Sequence, residues 1–268
     1  MPEITIRRKF EVDPAYDLEK ALSKEIELAR KFLEKELIAI DQIAEPTMQL
    51  ICMFSLLDSL AQEQANYPWD SKKAFCEFIL AHQKQCDYLT YVDPVTLFYR
   101  VEDLIEKSVL IPGFPPEKVI SLETMGLHMH SVRESVLSGK AQEILTYISQ
   151  KKGPQFAEKM MREHQMISLL YRMRSKAVHE MSSLGQRLQG NERFAPTEPY
   201  YRDVGRLYVL NGDVVSDNAY ELIIPSVFIR NILQDCVAGY LSECREKKRF
   251  PFENNSMSRK YRLTWYDT

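Results

Sequence analysis

Residues 154–184 read PQFAEKMMREHQMISLLYRMRSKAVHEMSSL, and after Pro154 neither glycine nor proline interrupts them. Gly153-Pro154 is a helix-start signal, because proline's fixed φ suits the first helical position, where its missing N–H costs nothing. The apolar positions Ile167, Leu170, Ala177, Val178, Met181 and Leu184 recur at helical spacing. The stretch therefore predicts one long helix running to about Leu184. A helix of this kind has to bury its apolar stripe against other helices, which points to a bundle.

The flanking sequence extends that reading. Asp13-Pro14 pairs an N-cap residue with proline and predicts a long N-terminal helix within residues 1–45, with Leu18, Leu22, Ile26, Leu33, Leu37 and Ile40 on its apolar face. Pro46 opens a second, more buried helix through Leu60, Asp70 caps a third to about Lys84, and Asp93-Pro94 begins a fourth. Residues 111–140, with Pro112, Gly113, Pro115 and Pro116, have mixed periodicity and receive no assignment, and a short helix is expected over Ala141 to Ser149. From Gly185 to Gly205 the composition is that of a loop. Asn211-Gly212 then predicts a β-hairpin over 206–224, since both residues tolerate positive φ. Pro225 starts a terminal helix over 225–248, and the alternation of Tyr261, Leu263 and Trp265 suggests a last strand. No repeat or linker divides the chain, so the expectation is a single all-α domain, 1–268, with a small C-terminal hairpin.

Composition agrees with a folded, helix-rich chain: 45% of residues are hydrophobic, 27% are charged, and only nine are glycine. The longest apolar run, Met48 to Leu57, is about half of what a bilayer requires. With a charged N-terminus lacking a signal-peptide core, this leads to the expectation of a cytoplasmic protein without a membrane association. Five cysteines, none in a C-x-x-C pair, argue against a disulfide framework or a structural zinc site. A net charge of -3 gives no global attraction for nucleic acid. Lys151 to Lys176 is different, with seven basic residues against Glu158 and Glu163.

Chemistry concentrates in SLLYRMRSKAVHE, residues 168–180. Arg174 falls on a core-facing seam position, where a guanidinium needs a carboxylate or a solvated cleft. His179 follows five residues later, and Arg172, Lys176 and His179 share a helical face at i, i+4 and i+7. A histidine titrating near neutrality exchanges protons, and an arginine fork neutralises a phosphorane. Neither role needs a metal or a cofactor. The alternative is structural: Arg174 bridges Glu180 or another helix's carboxylate, and His179 is a satisfied core residue.

The R-x4-H motif in LLYRMRSKAVHEM, late in a helical domain, resembles the HEPN superfamily. The segments SLLDSLAQ and YVDPVTLFYRVEDLI extend the likeness, and the hairpin followed by a proline-started helix is similar to an uncharacterised prokaryotic branch of it. The resemblance implies a helical bundle that forms a homodimer and cleaves RNA without metal in a toxin–antitoxin or other defence system, with an antitoxin or defence protein as partner. Arg174 and His179 would be the catalytic pair, and Ser175 stands where the family has Asn, Asp or His. Arg172, Ser175 and Lys176 would contact the substrate. A second expectation is a non-catalytic HEPN-like module that binds RNA, a nucleotide or a partner protein, and a third is a helical interaction protein with a structural ion pair.

Three other groups carry weaker signals. His128-x-His130 near Glu123 and Glu134 has metal-ligand residue types but no third ligand at a suitable spacing. Arg187, Arg193, Tyr200, Tyr201 and Arg202 could stack bases and hold phosphates, or could form a solvated loop. Arg259, Lys260, Tyr261, Arg262 and Trp265 pose the same question in the tail. Walker-type, nucleophile-elbow and dinucleotide motifs are missing from the sequence.

Overall fold

A computed structural model gives the fold, and it describes residues 18–65, 70–83, 87–106, 135–180, 197–203, 206–210, 213–217 and 220–252. Eight helices and four short strands account for most of these residues: α1 (Leu18–Asp41), α2 (Pro46–Gln64), α3 (Ser71–His82), α4 (Pro94–Glu106), α5 (Ser135–Lys152), α6 (Pro154–His164), α7 (Met166–Glu180), β1 (Tyr200–Asp203), β2 (Arg206–Leu210), β3 (Asp213–Asp217), β4 (Tyr220–Ile223) and α8 (Ser226–Glu246). The class is all-α with a small β-hairpin, as the sequence indicated. Among the described residues no helix is long and apolar enough to cross a membrane.

Local chemistry explains the helix starts. Glu45 accepts from the backbone N–H of Thr47 (3.0 Å) and Met48 (2.5 Å), with Pro46 at the first position of α2. Asp70 accepts from Lys73 N at 2.9 Å and Asp93 from Thr96 N at 2.9 Å, which caps α3 and α4. Gly153, at φ 89°, makes the turn between α5 and α6, a conformation that costs glycine little.

α2 is the central helix. Its MQLICMFSLL run has few polar positions, and it packs against α1, α3, α7 and α8 at once. Leu50, Phe54 and Leu57 of α2 meet Leu33 of α1, Phe75 and Ile79 of α3, Leu170 and Met173 of α7, and Leu233 and Tyr240 of α8 in the main core. A second, smaller core joins Leu97, Phe98 and Val101 of α4 to Ile144 and Ile148 of α5 and Met160 of α6.

Three expectations are corrected. Residues 154–180 do not form one helix, because Gln165, with ψ 143°, leaves helical geometry between α6 and α7. Residues 91–93 run antiparallel past this point: Asp93 N donates to His164 O (2.8 Å) and Met166 N to Tyr91 O (2.9 Å). Backbone bonds lost at the break are thus recovered from a distant segment. The helix expected over Ala141 to Ser149 extends over Ser135–Lys152, through Gly139. Strand structure begins at Tyr200, inside the expected loop. β1 pairs with β4 and β2 with β3, and every pair in both ladders is placed symmetrically about Asn211-Gly212, so the two ladders share one register. Of the unassigned segment 111–140, residues 111–134 lie outside the described residues, with Glu123, His128, His130 and Glu134, as do Asp13-Pro14, Met181, Leu184, Arg187, Arg193, Asn211-Gly212 and the tail from 253 onward.

Two buried polar clusters join elements distant in sequence. Asp93 is fully buried, and its second carboxylate oxygen accepts a short hydrogen bond from the Tyr201 hydroxyl, linking α4 to β1 across the two cores. Burial, with the Asp93 charge beside it, holds Tyr201 well above its ordinary pKa, so the phenol keeps its proton and donates. At the other end of the bundle His82 Nε2 lies 2.6 Å from Gln64 Oε1 and 3.2 Å from Glu243 Oε2. Both neighbours accept, so Nε2 carries the proton. Burial lowers the His82 pKa against the opposing pull of Glu243, and the ring is neutral at pH 7.

Gly239 of α8 packs on that imidazole: a Cβ there would sit 2.7 Å from His82 Nδ1. Glycine-to-alanine in a helix interior ordinarily gains about 1 kcal/mol. Here Gly239→Ala should instead destabilise by about 1 kcal/mol, since overpacking outweighs the propensity gain. Urea denaturation in a His82→Ala background should show the sign reversed, and the same sign in both backgrounds would refute the packing argument.

Candidate functional site

All five residues singled out from the sequence fall on α7, and the structure describes the side chains of four: Arg172, Arg174, Ser175 and Lys176. His179 occupies the penultimate position of the helix, and its side chain lies outside the described residues. α7 buries Met166, Leu170, Met173 and Ala177 at helical spacing, which seats it on α2 and α3.

Arg174 follows this stripe into the core and is 8% exposed. Its Nη2 donates to Asp58 Oδ2 of α2 at 2.5 Å, and its Cζ stands 5.6 Å from the centre of the Tyr171 ring. Tyr171 is in turn fixed by a 2.9 Å hydrogen bond between its hydroxyl and Ser71 Oγ at the start of α3, and by an edge contact to Phe75. The arginine is therefore held on one edge by a carboxylate and on one face by an aromatic ring. The carboxylate is the kind of partner that burial of a guanidinium demands. Asp58 was not singled out from the sequence. Its signal was present as the one acidic residue within the apolar run from Met48 to Ala61.

Arg172 points elsewhere. Its Nη2 donates to the Glu163 backbone carbonyl at 2.8 Å, closing the last turn of α6 at the α6–α7 break. Two residues apart on a helix, Arg172 and Arg174 occupy nearly opposite faces, so the structure does not bring them to one point. Ser175 and Lys176 are half-buried, next to the Arg174–Asp58 pair in sequence, and among the described residues Lys176 pairs with no carboxylate. The basic run is partly compensated on its own helix: Arg162 pairs with Glu158, and Lys159 with Glu163 at 3.9 Å.

No protein-family model, curated protein or solved structure matches this chain.

Other reactive groups have structural roles. Tyr200 and Tyr201, weighed as base-stacking or loop residues, are both buried, and Tyr201 serves Asp93. His164 is buried with Nδ1 2.8 Å from Met160 O, and burial lowers its pKa. Burial pushes the Cys76 thiol up to about 11, which removes it as a nucleophile near neutral pH. Among the described residues no group of three or more His, Cys, Asp or Glu side chains could hold a metal ion.

Proposed function

We propose that this chain is a HEPN-like RNA endonuclease of a defence or toxin-like system, working without a metal and as a homodimer. One observation supports this reading above the rest. Arg174 is held in position by Asp58 and Tyr171, five residues before His179 on the same helix, with half-buried Ser175 and Lys176 between them. In the proposed reaction His179 takes the proton of a ribose 2′-OH, whose oxygen attacks the adjacent phosphorus. Arg174 neutralises the phosphorane, and departure of the 5′-oxygen leaves a 2′,3′-cyclic phosphate and, once protonated, a 5′-hydroxyl. Lys176 and Ser175 hold the neighbouring phosphate. Arg172 is withdrawn from that role, because it serves the end of α6.

The Arg174–Asp58 pair also favours a second reading, in which it is a structural ion pair of a helical interaction protein. Incubating RNA with the purified protein in EDTA separates the two. Cleavage to cyclic-phosphate ends should fall by about two orders of magnitude or more in His179→Ala, the scale of lost proton transfer, and comparably in Arg174→Lys, which keeps the charge but not the fork. Wild-type protein that leaves RNA intact, or folded variants as active as wild type, would sink the endonuclease.

A further inference from the structure

The carboxylate of Asp58 holds the place on Arg174 that an RNA phosphate needs. Carboxylates and phosphates engage guanidinium by the same geometry, through N–H to anionic oxygen bonds at the edge of the planar group. Asp58 Oδ2, 2.5 Å from Nη2, is already in such a bond. A phosphate approaching that edge therefore meets an occupied seat.

Three features make this occupant replaceable. Asp58 Oδ1 is buried and has no hydrogen-bond partner, although an ionised carboxylate has several acceptor sites to satisfy. The aspartate is the more accessible member of the pair, with its side chain 21% exposed against 10% for Arg174. Turning Asp58 outward hydrates both its oxygens. Tyr171 meanwhile stays beneath the guanidinium, since its hydroxyl is bound to Ser71 of α3 rather than to anything on α2. Arg174 thus keeps its support from Tyr171 when Asp58 departs.

We propose that Asp58 is an internal surrogate for phosphate: it occupies Arg174 in the free protein and is displaced when an RNA phosphate binds. This rests on the reading of α7 as an RNA-engaging helix, so the test needs one arm with RNA and one without. Asp58→Asn keeps the shape and removes the charge. Asp58→Ser serves if the asparagine variant does not fold, with near-ultraviolet circular dichroism as the check.

In the first arm, a 2′-O-methyl oligonucleotide, which 2′-OH attack cannot cleave, is titrated against both proteins by fluorescence anisotropy. The variant should bind about tenfold tighter, as expected when a charged competitor is removed. Equal or weaker binding by the variant overturns the proposal. In the second arm, phenylglyoxal modification of Arg174 is followed by peptide mass spectrometry with and without inorganic phosphate. Arg174 should react faster in the variant, and phosphate should protect it there at lower concentration than in wild type. Unchanged reactivity and unchanged protection overturn the proposal even if RNA binds. If neither protein binds the oligonucleotide but the phosphate arm behaves as expected, the surrogate role stands and the RNA reading fails.

Discussion

Asp93→Ala should destabilise the protein by about 3 kcal/mol, one of the two largest effects expected of a single substitution here. Two losses combine. The α4 N-cap bond to Thr96 N disappears, which costs about 1 kcal/mol. The Tyr201 hydroxyl is left in a fully buried site without its acceptor, which costs about 2 kcal/mol more. For a chain of this size the sum corresponds to a drop in melting temperature of about 5 °C. Asp93→Asn keeps one acceptor oxygen for the Thr96 N–H, where asparagine caps nearly as well as aspartate, but turns an amide donor toward the Tyr201 hydroxyl, so it should recover chiefly the capping part of the loss. Differential scanning calorimetry decides the matter. An alanine variant within about 1 °C of wild type would mean that the Asp93–Tyr201 link contributes little to holding the two cores together. That link is also where the smaller core would separate first. Residues 91–93 carry the bridge to Gln165, the cap of α4 and the bond to β1 within three positions. Hydrogen exchange in Asp93→Ala should accelerate in α4, α5 and α6 before α2 and α8, since local opening follows the loss of tertiary anchors.

Helix starts were legible in the sequence because their causes are local. Pro46, Asp70, Asp93 with Pro94, and Pro225 each act within one turn, and each marks a helix start in the structure. Nothing local announced the break at Gln165. The sequence around it, REHQMIS, has neither glycine nor proline, and the interruption is stabilised by backbone groups of residues 91 and 93, more than seventy positions away. Tyr200 and Tyr201 misled for a related reason. Beside Arg202 they resembled solvent-facing aromatics, whereas pairing with Leu222 and Ile223 and packing on both faces bury them. The site was half legible. A charged residue on the seam of α7 required a partner, and that much follows from burial alone. Which carboxylate supplied it depended on how α2 and α7 pack across 116 residues of chain, information that no local pattern holds.

Arg174→Ala should cost about 3 kcal/mol, and the comparison that gives this number meaning is the double substitution. Removing the guanidinium takes the charged partner from Asp58, whose Oδ1 is already buried without one, and opens a gap beside Tyr171 on the α2–α7 seam. Breaking one side of a buried ion pair is expensive, while replacing both sides with apolar groups of similar size is often neutral or better. Asp58→Leu combined with Arg174→Met should therefore lie within about 1 kcal/mol of wild type in urea denaturation, with the two single variants well below it. Such a result would show that the pair is not needed for stability, since an apolar pair serves the fold as well. A desolvated charge pair retained where leucine and methionine would do is more economically explained by what Arg174 binds than by what it holds together. A double variant as unstable as Arg174→Ala alone would instead identify the pair as a specific structural tie between α2 and α7, and would favour the helical interaction protein.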